Sequence, residues 1–111
     1  MTYKKIAAMV ASIGVPYAYY QFPENTGQEP PFVCFLFPES KDFYADDRAY
    51  APMSKLVLEL YTDNKDFTLE SAVECALTEN GLAWKREEEY LDSERMFLQV
   101  YRTVVLLTKE E

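Results

Sequence analysis

The first apolar pattern along the chain predicts a helix. Four apolar residues between positions 6 and 13 recur at helical spacing, which indicates a helix over 2–13 with Thr2 as its N-cap. Gly14 follows directly, and glycine favours the left-handed conformation that ends many helices. Pro16 then prevents the helix from continuing.

Alternating and continuous apolar runs predict three strands after this helix. Aromatic residues crowd 17–22, and the continuous apolar run 32–37 ends at Pro38. A strand that is apolar on both faces is either central in its sheet or covered by a neighbouring subunit. Every second residue from 56 to 60 is leucine, which predicts a strand over 54–62 with one buried face. The charged and aromatic residues of 39–52 suit a long hairpin or an excursion at the sheet edge.

A second helix and a final hairpin complete the pattern. Asp66 is a good N-cap for a helix that Gly81 and Leu82 close by the same device as the first. We expect its buried residues to be Leu69, Val73, Ala76 and Leu77, with Glu70, Glu74 and Glu79 outside. The stretches 83–90 and 95–107, joined by a turn over 91–94, then predict an antiparallel hairpin.

Together these elements predict one α+β domain over residues 1–111. Its simplest architecture is a mostly antiparallel sheet of about five or six strands packed by two helices, in the order α-β-β-β-α-β-β. The chain is long enough for a real core, and its apolar fraction of 49% argues against disorder.

Charge and cysteine content narrow the function classes. Nineteen acidic and eleven basic residues give a net charge of -8, which disfavours binding to nucleic acid and to anionic membranes. The sequence has neither an apolar stretch of the ~18 residues that span a bilayer nor a signal peptide, so we expect a cytoplasmic location. In that compartment Cys34 and Cys75 are predicted to be buried free thiols.

The residue types for common catalytic and metal sites are missing. The chain has no histidine and only two cysteines, which excludes Ser-His-Asp and Cys-His catalysis and the usual zinc sites. Its three glycines do not cluster into a phosphate-binding loop. Adjacent carboxylates, as at Asp46–Asp47 and in 87–89, point to opposite faces of a strand and do not converge. We expect no enzymatic activity, no cofactor and no metal.

Aromatic residues are numerous for so small a core, so some must lie at the surface. Phe43 and Tyr44 lie among charged residues in 39–52, where they either contact another protein or fold back over their own sheet. Arginines in the final hairpin add to this set. The candidate contact residues are Phe43, Tyr44, Asp46, Asp47, Arg48, Arg86 and Arg95.

Seven short phrases give the chain a family resemblance. They are Ser12-Ile13-Gly14-Val15-Pro16, Gln21-Phe22-Pro23, Pro30-Pro31-Phe32, Phe43-Tyr44-Ala45-Asp46, Glu59-Leu60-Tyr61-Thr62-Asp63, Lys65-Asp66 and Asn80-Gly81-Leu82. In this order they resemble a family of short neck proteins from tailed phages and prophages of Gram-positive bacteria. That family is usually placed with the tail-completion, or tail-terminator, group. The resemblance runs from about residue 5 to 107.

The resemblance implies a role in virion assembly. Members of the group have an α+β fold, cap the growing tail tube and present a surface to the head connector. Their partners are therefore copies of themselves, in a ring that is typically hexameric in the virion, the tail-tube protein and the head-connector protein. They act without a cofactor and are not enzymes. The implied location is the host cytoplasm during assembly and the virion neck or tail afterwards.

A ring of identical subunits needs heterologous contacts, and 39–52 and 83–107 are our candidate segments for them.

Two other functions fit parts of the sequence. An alternative is a small acidic inhibitor or adaptor that binds a basic protein, although its acidic residues are spread along the chain. Strongly salt-dependent binding without self-association would favour that alternative. A third, a small enzyme using carboxylates, requires a concave site with a perturbed acid.

Overall fold

A computed structural model describes residues 1–22, 27–40, 43–45, 48–51 and 53–108, with the backbone alone for 43–45 and 48–51. Two helices and seven strands form in this part of the chain. They are α1 (Tyr3–Ala11), β1 (Tyr17–Tyr19), β2 (Phe32–Leu36), β3 (Phe43–Ala45), β4 (Arg48–Ala51), β5 (Met53–Thr62), α2 (Phe67–Glu79), β6 (Lys85–Leu91) and β7 (Met96–Leu106).

Five of the strands form the main sheet, in the order β1-β2-β5-β7-β6. β1 is parallel to β2, and the other neighbours are antiparallel. β3 and β4 pair with each other in a separate two-stranded antiparallel sheet. This arrangement confirms the predicted α+β class and element order, and the segment 39–52 contains a hairpin. The doubly apolar β2 lies inside the sheet, between β1 and β5.

Both helices begin at their predicted N-caps, but their C-terminal turns differ from each other. The side chains of Thr2 and Asp66 accept hydrogen bonds from the third residue beyond each, as N-caps do. At the end of α2, Leu82 donates from its backbone N–H to Leu77 and Gly81 donates to Thr78, the two bonds of a Schellman motif. α1 ends instead in a tighter turn, in which Gly14 donates to the carbonyl three residues before it.

The main sheet buries one face beneath the helices. Along β5 the burial alternates strictly, with Leu56, Leu58 and Leu60 fully buried on what we call the inner face. These leucines pack with Ile6 and Val10 of α1 and with residues of α2 and β7 in one core cluster. The outer face is the opposite one, which on β5 carries Lys55, Val57, Glu59 and Tyr61. The predicted leucine face of this strand is confirmed.

Three local predictions were wrong. The strand predicted over 17–22 ends at Tyr19, because Tyr20 takes a positive φ of 68° and Gln21 donates back to the Tyr19 carbonyl. The turn of the final hairpin lies over 92–95 instead of 91–94, since Leu91 pairs with Met96. Leu69, predicted to be buried, is only half-buried.

Two predictions of burial on α2 were also wrong. Glu70 is only 6% exposed, because it lies against the β6 side of the sheet and forms an ion pair with Lys65. Cys75 is exposed, because its position on the helix faces away from the side that carries Val73, Ala76 and Leu77. Cys34 is buried as predicted, and both thiols are free.

Candidate protein interface

The first predicted contact segment lies in the separate hairpin. Phe43 pairs with Ala51 across this hairpin, Ala45 pairs with Arg48, and Tyr44 lies between them on β3. Asp46 and Asp47 lie outside the described residues. The contact role of these side chains stays a prediction.

Arg86 lies on the inner face of β6 within a network of polar side chains. Its guanidinium donates to the amide oxygen of Gln99 at 2.6 Å and lies 3.9 Å from carboxylate oxygens of Glu70 and Glu88. Gln99 is fully buried and donates in turn to Glu88 at 2.8 Å. A buried amide is costly unless both of its ends are bonded, so Arg86 and Glu88 hold Gln99 in place.

Lys65 connects this network to α2. Its ammonium lies 2.7 Å from the Glu70 carboxylate and also contacts Glu88. Hydrogen bonds to Glu70 and Glu88 raise the pKa of Lys65, while hydrogen bonds from Lys65 and Gln99 lower the pKa of Glu88. The network thus connects the start of α2 to β6 and β7. Within it, Arg86 contacts side chains of its own subunit.

Arg95 lies in the exposed turn of the last hairpin. It has a positive φ of 54° and closes the turn 92–95, whose residues are all exposed. We call Asp92, Ser93, Glu94 and Arg95 the acidic turn, since two carboxylates outnumber one guanidinium. The acidic turn lies at the end of the hairpin that is farthest from Lys85, the first residue of β6.

A groove of about 950 Å³ lies at the opposite end of this hairpin, where β6 begins. β6 starts opposite Arg102, whereas β7 continues for four more residues to Leu106. The space beside that extension is bordered by the α2–β6 connection and by Pro38 and Glu39, at the root of the excursion 39–52. The structure therefore brings the roots of both predicted contact segments to the two sides of one groove.

The groove is more basic than the rest of the molecule. In the described part of the chain, its lining includes three cationic side chains, Lys55, Lys85 and Arg102, against one carboxylate, Glu39. Lys55 forms an ion pair with Glu39, and Arg102 forms one with Glu87. Val57 and Val104 add apolar surface to the lining. A local excess of positive charge in a chain of net charge -8 suits an acidic protein segment.

A second surface is aromatic and lies at the β1 edge. Tyr17 and Tyr19 are 42% and 51% exposed, and Tyr20 is 62% exposed. The Tyr19 ring stacks on Phe37 with centroids 6.0 Å apart, and Tyr3 of α1 meets Phe37 edge-on at 5.4 Å. The crowding of aromatic residues was visible in the sequence, but it was assigned to a strand and not to a surface.

The outer face of the sheet holds a group of perturbed titratable side chains. Burial raises the pKa of the Glu59 carboxyl, an effect that the Tyr61 hydroxyl and the Arg102 charge oppose. Burial, with the nearby charge of Glu59, raises the pKa of the Cys34 thiol to about 11. The thiol therefore stays protonated and unreactive near neutral pH.

The residues in the described ranges offer neither a cluster of metal ligands nor a membrane-spanning helix. No group of three or more potential ligand side chains converges there. Of the helices in those ranges, neither is long and apolar enough to cross a membrane.

Comparison with known proteins identifies a structural relative. No protein-family model matches the sequence, and no curated protein matches it. The chain is similar to a chain in a solved structure of the virion of a native gene transfer agent particle, with a TM-score of 0.56 and 19% sequence identity. The match covers 89% of this chain and 84% of the other. The likeness shows a shared fold.

Proposed function

We propose that this protein is a structural component of a phage-like virion, where it completes the tail tube and joins it to the head connector. The observation that carries the proposal is the fold shared over 89% of the chain with a protein of a gene transfer agent virion. The resemblance of seven local phrases to phage tail-completion proteins supports the same role independently, because those phrases are read from sequence and not from the fold.

We also propose that the protein acts by binding and not by catalysis. The carboxylates of β6 support this, because they alternate between the sheet faces and two of them are held by neighbours. Glu87 forms an ion pair with Arg102 on the outer face, and Glu88 is held by Lys65 and Gln99 on the inner face. Carboxylates held in this way do not converge on a substrate position, as acid and base catalysis requires.

The same pairing weakens the alternative of an inhibitor that imitates nucleic acid. Such a protein needs an ordered row of unpaired negative charges on one surface. On β6 the acidic side chains point to both faces, and two of them are neutralised by neighbours. The virion role therefore accounts better for the arrangement of charge.

The proposed role includes assembly into a ring, formed in the host cytoplasm and retained in the virion neck. A ring needs two different surfaces on each subunit. The groove and the segments 39–52 and 83–107 that border it are candidates for one contact, and the aromatic surface at β1 is a candidate for contact with the tail-tube or head-connector protein. Aromatic side chains carry much of the energy of such interfaces.

Deletion of the gene from the phage or prophage that encodes the protein tests this role. We expect lysates to contain DNA-filled heads and separate tails of irregular length by electron microscopy. A plasmid copy of the gene should restore joined virions. Mass spectrometry of purified wild-type virions should detect the protein. Normal, joined particles from the deletion strain, together with absence of the protein from wild-type virions, would refute the proposal.

A further inference from the structure

We propose that the basic groove binds the acidic turn of a second copy of this chain, which gives a head-to-tail contact between subunits. The inference deepens the proposed function and rests on it in one respect, because tail completion is what requires a ring.

The groove carries an arrangement of cations that calls for an anion. Lys85 lies directly opposite Arg102 across the β6–β7 pair, and both side chains point to the outer face. Like charges in this position repel each other and destabilise a sheet. Glu87 offsets the charge of Arg102, whereas Lys85 has no ion-pair partner among the described residues. An incoming carboxylate would relieve this repulsion.

The lining of the groove fits a protein segment better than a free ion. Val57, Val104 and the indole of Trp84 line it beside the cations. The indole is fixed in place, because its N–H donates to the hydroxyl of Thr78 at 3.1 Å and its ring meets Tyr101 edge-on. A volume of about 950 Å³ has room for several side chains. An apolar lining with a few charged groups is typical of pockets that bind peptide segments.

The acidic turn has the matching charge and accessibility. Asp92 and Glu94 are exposed there, and the exposed Glu89 precedes them on β6. Two copies that each carry a net charge of -8 repel each other over most of their surfaces. A contact between them is therefore favoured where the acidic part of one copy meets the basic part of the other.

The separation of the two surfaces allows the contact to repeat from subunit to subunit. The groove lies at the start of β6 and the acidic turn follows its end, about 20 Å away along the strand at the usual rise per residue. A groove filled by the turn of one neighbour leaves the subunit's own turn free for the next. Repeated in this way the contact is heterologous and produces closed rings or filaments, whereas a reciprocal pair, in which each turn fills the other's groove, would be a closed two-fold dimer.

Disulfide trapping tests the contact. The variant combines Ala83→Cys in the groove and Ser93→Cys in the acidic turn with Cys75→Ser, which removes the exposed natural thiol, leaves the buried Cys34 and keeps the charges of both surfaces. Under oxidation we expect a ladder of disulfide-linked oligomers on a non-reducing gel, up to the number of subunits in the ring. Each variant with a single introduced cysteine should give dimers at most. Ala83→Cys with Glu29→Cys, at an exposed residue elsewhere, in the same Cys75→Ser background is the matched control and should give no ladder.

Charge reversal provides an independent test. Lys85→Glu alone and Asp92→Lys with Glu94→Lys should each weaken self-association about tenfold or more, measured by light scattering against concentration. All three changes in one chain should restore association, because the reversed charges attract again. Circular dichroism should show an unchanged fold, since all three positions are exposed.

These experiments separate the contact from the virion role. They are performed on the free protein and on purified virions. Absence of the ladder from both, or association that neither reversal weakens, overturns the proposed contact even if virions contain the protein. A ladder in the free protein with no protein in virions leaves the contact intact and refutes the proposed function.

Discussion

Glu59 shows how one side chain on the outer face responds to its surroundings. It lies half-buried on β5, where the Tyr61 hydroxyl donates to its carboxylate at 3.4 Å. Tyr61 in turn stacks on Phe32 with ring centroids 4.8 Å apart. The apolar neighbours make the charged carboxylate costly, which is why burial is the main cause of its raised pKa.

The raised pKa of Glu59 predicts a pH-dependent effect of Glu59→Gln. The folded protein holds the Glu59 proton more tightly than the unfolded chain, so stability is lost as pH rises through the unfolded and then the folded pKa. Glu59→Gln removes this loss. We expect the variant to gain stability relative to wild type at pH 7 and to gain less at pH 4, by urea denaturation at both values.

A matched variant controls for the general effect of removing one negative charge. Glu29→Gln changes an exposed carboxylate outside the helices and strands and should give a much smaller gain at pH 7. If Glu59→Gln is equally beneficial at both pH values, the gain comes from the amide itself and not from ionisation of this carboxyl group.

At the scale of elements, local sequence signals predicted both the start and the end of α2. Asp66 caps α2 by accepting from the Leu69 N–H at 2.9 Å, and Gly81 has the left-handed φ of 76° that the Schellman motif requires. Such signals act over three to six residues, so they survive without knowledge of tertiary contacts. The burial of Glu70 could not be predicted in this way, because it depends on the packing of α2 against β6, where its partner Arg86 lies.

The cap of α2 gives the prediction at this scale. Asp66→Ala leaves the first amides of the helix without their side-chain acceptor and should cost about 1 kcal/mol of unfolding free energy. Asp66→Asn keeps an acceptor oxygen at the same position and should cost much less. Urea denaturation of both variants measures the difference. Equal stability of Asp66→Ala and wild type would show that the described cap contributes nothing.

The register of the final hairpin determines which residues meet at the groove. Moving the turn by one residue changes that register. A turn over 91–94, as the sequence predicted, would place Lys85 opposite Val100. The observed pair Leu91–Met96 shifts the register by two residues and brings Lys85 opposite Arg102 instead. Both registers keep the same faces buried, so hydrophobic alternation could not distinguish them. The sequence pattern therefore could not predict the cationic groove.

At the scale of the whole molecule, the two faces of the main sheet have different roles. One face forms the core and the other forms part of the surface. The inner face supplies most of the core, where Leu58 is fully buried opposite Phe35 and Tyr101 on the neighbouring strands. The outer face carries the groove cations and Glu59. A substitution on β5 should therefore have very different effects at adjacent positions.

Paired substitutions on β5 test this asymmetry. Leu58→Ala should destabilise the protein by about 2–5 kcal/mol, because it leaves a cavity in a close-packed core. Val57→Ala, one residue away on the outer face, should cost about 1 kcal/mol or less, because its side chain is only half-buried. Thermal and urea denaturation of the two variants provide the comparison. Similar losses at both positions would mean that both faces are covered in solution, as a second subunit would do.

Sequence alone determined the order of the helices and strands of this protein and the buried leucine face of β5. Apolar periodicity, caps and glycines are local, and they predicted α1, α2, the leucine face of β5 and the final hairpin. Tertiary structure alone decided the register of that hairpin, the buried position of Glu70 and the meeting of Pro38, Lys55, Lys85 and Arg102 at one groove. The physical reason is that a groove forms where elements end beside one another, and the relative ends of distant strands are fixed by packing and not by neighbours in sequence.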